Sequence, residues 1–349
     1  MAFDFNYFGK SVGIDLGTAN TLIYLSGRGI VVNEPSIAAV NVKTGNVFAI
    51  GNEAKKMLGR TPNYVNVVRP LVNGVISDFE MTQEVMRHFL KRLSGTSPFF
   101  SYRRAVVGIP SNLTEVERKS VEDAIVGAGV RNAYLIEESL AAAIGARLPI
   151  QEPTANMIVD IGGGTTEIAV ISMGGTVTSK SLKVAGDKLN DDIIRFIRDE
   201  FRLVIGEPTA EELKIAIGSA VQTDEKSELA VRGRDLTTGL PKEVIVKDAH
   251  IRTAIIRSVK MIVEAIREVI EAAPPELAGD ILRHGIHLCG GGSLLRGLDQ
   301  LIAKELSIRT VVVDDPLTCV ARGTGITVEN FEQYSPVLNH PLIPRDIRV

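Results

Sequence analysis

Asp160-Ile161-Gly162-Gly163-Gly164-Thr165-Thr166-Glu167, entered from Met157-Ile158-Val159 and left through Ile168-Ala169-Val170, decides how this chain is read. An apolar run ends in an aspartate, glycines and threonines follow, and a second apolar alternation begins at Ile168. The pattern is strand, tight turn, strand, with the acid at the end of the first strand. Glycines let backbone approach a ligand closely and expose N–H groups that can cradle a phosphate. The stretch has a counterpart near the N-terminus, where Val12-Gly13-Ile14 leads into Asp15-Leu16-Gly17-Thr18-Ala19-Asn20-Thr21. Two copies of one strand–Asp–turn–strand device indicate duplicated halves that share one nucleotide.

At 349 residues the chain has room for two domains with substantial cores. Hydrophobic residues at 45% and charged residues at 23% make an ordinary soluble mixture. A net charge of −3 argues against bulk electrostatic binding of nucleic acid. The two cysteines, Cys289 and Cys319, provide neither a disulfide framework nor a metal cluster, and reduced, buried thiols are expected. His88, His250, His284, His287 and His340 are scattered, which fits surface or capping roles rather than metal. No apolar run is long enough to span a bilayer, and the N-terminus lacks the pattern of a secretory signal.

The opening is β-rich. Short strands flank the Asp15 turn, Gly27–Gly29 marks a hairpin, Ile30–Val32 and Ile37–Val40 are extended, and Thr44-Gly45-Asn46 is a second hairpin turn. Asp78 is a good N-cap for a helix over Glu80–Leu93. Thr114 and Glu117 form a capping box for a helix ending at Gly127. Tyr134–Ile136 is a strand into Glu137-Glu138 and a small-residue helix over Ser139–Ala146. The second half repeats the plan, with helices over 189–201 and 209–217 and a charged, exposed excursion at 224–235. Ile251, Ile255, Val259, Ile262, Ile266 and Val269 form the core-facing stripe of a long helix over 248–273, ended by Pro274-Pro275. A short helix over 280–282, a strand into Gly290-Gly291-Gly292, a helix from Leu294 and a last small-residue helix over 318–327 complete the reading. Strands first and crossing helices after, done twice, predict an α/β protein of two similar lobes. Segments 33–74 and 186–245 read as insertions into them.

A nucleoside triphosphate site needs backbone N–H groups for phosphates, carboxylates for Mg²⁺ and a group to orient the attacking water. Asp15 and Asp160 are the candidate metal ligands, since Mg²⁺ keeps several waters and takes one or two carboxylates. The amides near Gly17-Thr18-Ala19-Asn20 and Gly162-Gly163-Gly164-Thr165-Thr166 would face the phosphates. Gly290-Gly291-Gly292, expected just before a helix, would set a helix N-terminus against the nucleoside or α-phosphate. Either Glu137 or Glu138, at a strand end, is placed to orient water; as plain structure both would complement a helix dipole. A Walker-type motif is absent from the sequence.

Together Asp15–Thr21, Asp160–Thr166, Leu135-Ile136-Glu137-Glu138 with Ala141-Ala142-Ala143-Ile144-Gly145, and Gly290–Leu298 resemble the phosphate-1, catalytic, phosphate-2 and adenosine motifs of the actin/chaperone/sugar-kinase superfamily. Within it the chain is similar to the MreB family of bacterial actins. Asn33-Glu34-Pro35-Ser36, Met57-Leu58-Gly59-Arg60-Thr61-Pro62, Arg69-Pro70, Gly74–Glu80 and Pro274-Pro275-Glu276-Leu277 fit that family too, and the match runs to about residue 328.

The resemblance implies two actin-like lobes, each a ribonuclease-H-like β-sheet with helices and an inserted subdomain, with a nucleotide cleft between. The first core would take 1–32, 75–145 and 318–349, with insertion 33–74. The second would take 146–185 and 246–317, with insertion 186–245. It implies Mg-ATP-dependent filament assembly with slow hydrolysis, in the cytoplasm at the inner face of the membrane. Partners would be further copies of the chain and wall-elongation proteins such as RodZ, MreC and MreD. Glu138 aligns with the family's catalytic glutamate and Thr165 with a residue placing the water. Glu211 and Lys214, within Glu211-Glu212-Leu213-Lys214, match ribose and adenine contacts, and Gly291-Gly292-Ser293-Leu294 match the purine side. Ser139-Leu140 departs from the family's Pro-Met, and Ile215-Ala216 stands where the family tends to be charged.

Two aromatic clusters stand out in a chain with 5% aromatics. Phe99-Phe100, flanked by Lys91, Arg92, Arg103 and Arg104, sits where the family carries a membrane-inserting loop. Phe3, Phe5, Tyr7 and Phe8 sit where some members carry an amphipathic anchor, and their spacing fits strand and helix alike. Membrane contact through Phe3, Phe5, Phe8, Phe99 and Phe100 is therefore expected. The rival functions are a small-molecule kinase of the same superfamily, a chaperone-like ATPase, and a plasmid-segregation or magnetosome actin. No acidic motif beyond Glu138 serves a bound hydroxyl, a chaperone needs a further substrate domain, and the motifs around 33–80 favour the rod-shape actins.

Overall fold

The structure is a computed structural model and describes residues 10–94, 102–223 and 227–338. β1 (Ser11–Leu16), β2 (Asn20–Leu25) and β3 (Gly29–Pro35) form the antiparallel meander that the Asp15 turn predicts, with Leu16 opposite Thr21. The excursion after β3 holds β4 (Ala38–Asn41), β5 (Val47–Ile50), α1 (Asn52–Met57) and β6 (Val65–Val68), a three-stranded sheet with one helix. Its own small core is Ile37, Ala39 and Ala54. The two-stranded ribbon β7 (Leu71–Val72) and β8 (Val75–Ile76) follows.

Asp78 Oδ1 accepts from the Met81 amide at 3.0 Å, which starts α2 (Phe79–Ser94) where the cap was expected. β9 (Tyr102–Ile109), α3 (Glu115–Gly127) with its Thr114–Glu117 capping box, β10 (Val130–Glu137) and α4 (Glu138–Gly145) complete this run. β9 pairs in parallel with β1, and β10 with β9, giving the order β10-β9-β1-β2-β3.

β11 (Asn156–Ile161), β12 (Thr166–Ser172) and β13 (Gly175–Leu182) carry the second device. α5 (Gly186–Phe201), β14 (Leu203–Val204), α6 (Glu207–Ile217), β15 (Glu228–Asp235), β16 (Pro241–Lys247) and α7 (Asp248–Ala272) come next. α8 (Pro275–His284), β17 (Ile286–Cys289), α9 (Leu298–Leu306) and β18 (Thr310–Val312) lead to the closing helices α10 (Cys319–Glu329) and α11 (Phe331–Tyr334). The second sheet runs β13-β12-β11-β17-β18, the same plan as the first: three sequential strands, then two parallel strands beyond the one with aspartate as its penultimate residue.

The chain divides into two compact units. One holds the residues up to 154 with 171–177 and those from 317; the other holds 155–170 and 178–316. The core of the first is built on Val12, Ile14, Phe89, Val107 and Ile125. That of the second is built on Val159, Ile168, Ile193 and the predicted α7 stripe, all six of whose residues are buried.

Four local expectations change. The charged excursion contains β15, in which Leu229, Val231 and Gly233 turn inward while Glu228, Ala230, Arg232 and Arg234 are exposed, so the charges hide a period of two. α8 is ten residues rather than three, because Pro275 suits the first turn of a new helix as well as ending the old one. α5 starts at Gly186, ahead of the expected 189. The helix expected from Leu294 starts at Leu298, because Gly297 takes a left-handed φ of 70° after a single 3₁₀ turn at Gly291–Leu294.

Candidate functional site

In the first unit, Asp15 is the penultimate residue of β1 with Gly108 of β9 beside it, and Gly108 in turn faces Ile136 of β10. Two residues on, Glu138 opens α4, all eight residues of which are buried. Glu138 packs on Gly108: a Cβ there would stand in ordinary contact, 3.4 Å from Glu138 Cγ and 3.8 Å from the Ile14 carbonyl oxygen, and tighter, at 3.0 Å, against Val320 Cγ1. The glutamate methylenes thus lie over Gly108, toward the strand that carries Asp15. Glu137 is engaged elsewhere, accepting from Thr176 Oγ1 at 2.9 Å. The two glutamates, which position alone left equivalent, thus have different surroundings. Ser139, where the family's Pro would stand, has a buried hydroxyl without a hydrogen-bond partner among the described residues.

The turn after Asp15 is braced from the excursion that follows it. Ser36 Oγ donates to the Gly17 carbonyl at 2.6 Å, the Ser36 amide donates to the Ala19 carbonyl at 3.0 Å, and Thr18 Oγ1 accepts from the Gly74 amide at 2.9 Å. Ser36 and Gly74 were not among the expected site residues. Their signal was membership of Asn33-Glu34-Pro35-Ser36 and Gly74–Glu80, stretches that fit the family without a role assigned to either residue. Thr18 is buried and Asn20 exposed.

In the second unit, Asp160 faces Cys289 across parallel β11 and β17. Burial, and then the Glu167 carboxylate, push Asp160 up to about 7, against a hydrogen bond from the Cys289 thiol that lowers it. Glu167 is itself buried and accepts from Ser181 Oγ. The turn closes on itself, the Gly162 amide donating to the Thr165 carbonyl at 2.9 Å. Its carbonyls are tied back: Gly186 and Asp187, opening α5, donate to Gly162 O at 3.1 Å and Gly163 O at 2.8 Å. Among the described residues no main-chain carbonyl takes the amides of Gly163, Gly164 or Thr165. Thr166 Oγ1 donates to the Val184 carbonyl at 2.7 Å and is structural.

The third glycine device packs on the same strand end. A Cβ at Gly290 would stand 2.3 Å from Asp160 Oδ1 and 2.4 Å from Ile161 O, and one at Gly292 would stand 2.2 Å from Ile161 Cγ2. Backbone alone fits there. No helix N-terminus follows directly, since α9 begins at Leu298, and Ser293 Oγ closes the loop by donating to Gly290 O at 2.6 Å. Leu294 is exposed. Within the expected stretch on α6, Leu213 is fully buried in the core, Glu212 is exposed, and Glu211 is half-buried. Lys214 Nζ donates to the Gly186 carbonyl at 2.9 Å.

The structure therefore gathers Asp160, Gly162–Thr166, Lys214 and Gly290–Gly292 in one unit, and Asp15–Asn20 and Glu138 in the other. Phe3, Phe5, Phe8, Phe99 and Phe100 lie outside the described residues. Among the described residues no group of three or more His, Cys, Asp or Glu could hold a metal ion by itself.

The family model for MreB/Mbl protein matches residues 9–336. The chain belongs to the MreB/Mbl family. Among MreB/Mbl relatives, the cell shape-determining protein Mbl of Bacillus subtilis (strain 168) is 46% identical over 326 residues, 93% of this chain and 98% of that one. The cell shape-determining protein MreB of Escherichia coli (strain K12) is 46% identical over 331 residues, 94% of this chain and 95% of that one. The crystal structure of MreB5 of Spiroplasma citri bound to AMPPNP superposes with a TM-score of 0.90 at 39% identity, covering 94% of this chain and 98% of the other. The ADP-bound form of the same MreB5 gives 0.89. The fold is thus the actin-like fold of the MreB/Mbl family. The span matched by the MreB/Mbl model takes in every expected site residue except Phe3, Phe5 and Phe8.

Proposed function

We propose that this chain is an ATP-dependent, filament-forming actin homologue that works at the inner face of the cytoplasmic membrane, organises wall synthesis and rod shape, and hydrolyses ATP slowly with Mg²⁺. One observation carries the reading. Glu138 heads a fully buried helix with its methylenes over Gly108, beside the strand that carries Asp15. A carboxylate so held is in the family's place for orienting water, and the helix behind it fixes its position.

The residues fit Mg-nucleotide. The turn at 162–165 has its carbonyls drawn toward α5 and amides left for anionic oxygens. Gly290 and Gly292 leave bare backbone where any side chain would strike Asp160 or Ile161. Asp160, held above its ordinary range, is a buried carboxylate that a cation would stabilise in its charged form. Hard oxygen donors in ones and twos, rather than an all-protein cage, suit Mg²⁺. Asp15 and Asp160 would hold the ion, which when bound neutralises phosphate charge. Thr165 would help place the water. MreB5, at 39% identity, has been crystallised with ADP and with AMPPNP, and similar chemistry is inferred here.

Membrane contact draws support from the first sheet. Lys10, Arg103, Arg104 and Arg131 share the edge where parallel β1, β9 and β10 begin, with Ser11 opposite Arg104 and Val130 opposite Tyr102. Residues 10 and 102, the described residues that follow the two aromatic segments in sequence, lie at that edge. No helix among the described residues is long and apolar enough to cross a membrane, so contact would be peripheral.

Sedimentation and electron microscopy with and without Mg-ATP and lipid test the proposal. Filaments should pellet with Mg-ATP. Glu138→Ala should assemble yet release phosphate at least about a hundredfold more slowly, as expected on losing a general base. Phosphorylation of a sugar or small acid, with no assembly, would overturn the reading.

A further inference from the structure

Ser36 follows β3 directly and is fully buried, as is Thr21 on β2. Their hydroxyl oxygens stand 2.9 Å apart. Ser36 Oγ donates its single proton to the Gly17 carbonyl at 2.6 Å, so within the hydroxyl pair Thr21 is the donor. A directed chain results, from Thr21 through Ser36 to Gly17, and each bond in it polarises the next. The Ser36 amide holds a second carbonyl of the same turn, that of Ala19, at 3.0 Å. Ser36 thus grips the turn at two points. Its own strand is anchored just before it: Glu34 accepts from the Asn52 amide at 3.2 Å and pairs with Arg92 of α2.

The two grips decide where the amides of the turn point. In a planar trans peptide the C=O and the following N–H face opposite ways. With Gly17 O and Ala19 O drawn to Ser36, the Thr18 and Asn20 amides are turned away from it. Among the described residues no main-chain carbonyl takes the amides of Gly17, Thr18 or Ala19. The turn is also tight. A Cβ at Gly17 would stand 2.7 Å from the Asn20 carbonyl oxygen and 3.6 Å from Asp15 Oδ1, so the gripped peptide lies beside the carboxylate proposed for the metal. Replacing both partners of a buried hydrogen bond by apolar groups of the same shape can be nearly neutral for stability, so what this hydroxyl pair adds is direction.

We infer that Ser36 is a positioning residue for the 17–20 turn, aiming the Thr18 and Asn20 amides at nucleotide phosphate through the Gly17 and Ala19 carbonyls, with Thr21 orienting its hydroxyl. The inference rests on the nucleotide-binding reading given above. It adds to the site a residue that lies outside the Asp15–Thr21 stretch, at the root of the 33–74 excursion.

The test uses the full chain with Ser36→Ala, Thr21→Val and the double variant. Urea stability, affinities for ATP and for adenosine, and amide hydrogen exchange without nucleotide are measured. Ser36→Ala frees the Gly17 carbonyl and strands the buried Thr21 hydroxyl, so it should lower stability and weaken ATP by about tenfold, as for the loss of one hydrogen bond. Adenosine, which carries no phosphate, should bind as it does to the parent within about twofold, a margin well below one hydrogen bond. Exchange over 17–21 and 34–37 should quicken. Thr21→Val should weaken ATP less, because Ser36 still donates to Gly17. The double variant separates direction from packing. With both hydroxyls gone its stability should return toward that of the parent, while ATP stays about tenfold weaker. ATP affinity that recovered along with stability, or adenosine weakened as much as ATP, would overturn the inference and leave the proposed function standing. If the parent bound no ATP, the proposed function would fail, and an exchange response to Ser36→Ala would then mark a structural brace only. Should Ser36→Ala not fold, the double variant carries the same comparison, and ATP bound as tightly as by the parent would sink the idea.

Discussion

Asp160 shows how one residue can read plainly in sequence and still hold something back. An aspartate between an apolar strand and a glycine run announces itself as a ligand. Its neighbours do not, because Cys289 and Glu167 reach it through sheet register and folding. The unfolded chain ionises Asp160 near 3.8, whereas burial and Glu167 hold the folded, metal-free carboxyl protonated up to about 7. Between those values the folded state binds the extra proton, so this residue's contribution is fully present at low pH and is lost as pH rises toward 7. In chelator, the difference in unfolding free energy between the parent and Asp160→Asn should therefore shift against the parent by about 2 kcal/mol from roughly pH 5.5 to 7.5. Mg²⁺ with nucleotide, which needs the carboxylate, should reverse the trend. Urea unfolding at the two pH values checks it; parallel curves for the two proteins would contradict the assignment. The two adjacent glutamates give the same lesson. Position at a strand end nominated both, the family likeness favoured Glu138, and packing adds that Glu137 binds Thr176 while Glu138 lies over Gly108.

Elements with one strong period were legible, and elements defined by what they touch were not. The α7 stripe and the capping boxes or caps of α2 and α3 rest on local chemistry, and each appears where the residues place it. α5 has no side-chain cap, since its first amides go to Gly162 and Gly163 carbonyls, so nothing local marked its start. The small-residue helices α4 and α10 were legible as helices, but their purpose needed the structure. A Cβ at Gly323 would stand 1.7 Å from Ala141 O, and one at Gly145 would stand 1.9 Å from Cys319 O. The two helices meet backbone to backbone, which locks the helix that carries Glu138. Gly323→Ala must push main chain aside, where ordinary overpacking moves side chains at about 1–3 kcal/mol. A loss of about 3 kcal/mol or more, or failure to fold, is expected in urea melts, whereas Gly279→Ala, with open space around it, should cost nothing measurable.

At the scale of the molecule, the duplication was readable because each half begins with its own Asp-turn device, and two sheets of one plan confirm it. What composition obscured was the distribution of charge. A net charge of −3 says little about one sheet edge on which Lys10, Arg103, Arg104 and Arg131 gather at the starts of parallel strands. Arg104 is partly committed, its guanidinium 4.0 Å above the Phe331 ring, so its removal would disturb packing as well as charge. Arg103 and Arg131 can be replaced with that ring contact left in place. Each basic residue near an anionic surface contributes about 1 kcal/mol, and the effect fades beyond a Debye length. The Arg103→Ser, Arg131→Ser double variant should thus bind vesicles rich in phosphatidylglycerol roughly tenfold or more weakly at low salt. The gap between parent and variant should close as salt is raised. On neutral phosphatidylcholine vesicles the two proteins should bind alike, because any aromatic insertion is untouched by the change. Co-sedimentation across a salt series measures all three. A variant equal to its parent on anionic vesicles at low salt would show that this edge does not face lipid, and would leave the aromatic segments to carry membrane contact without it.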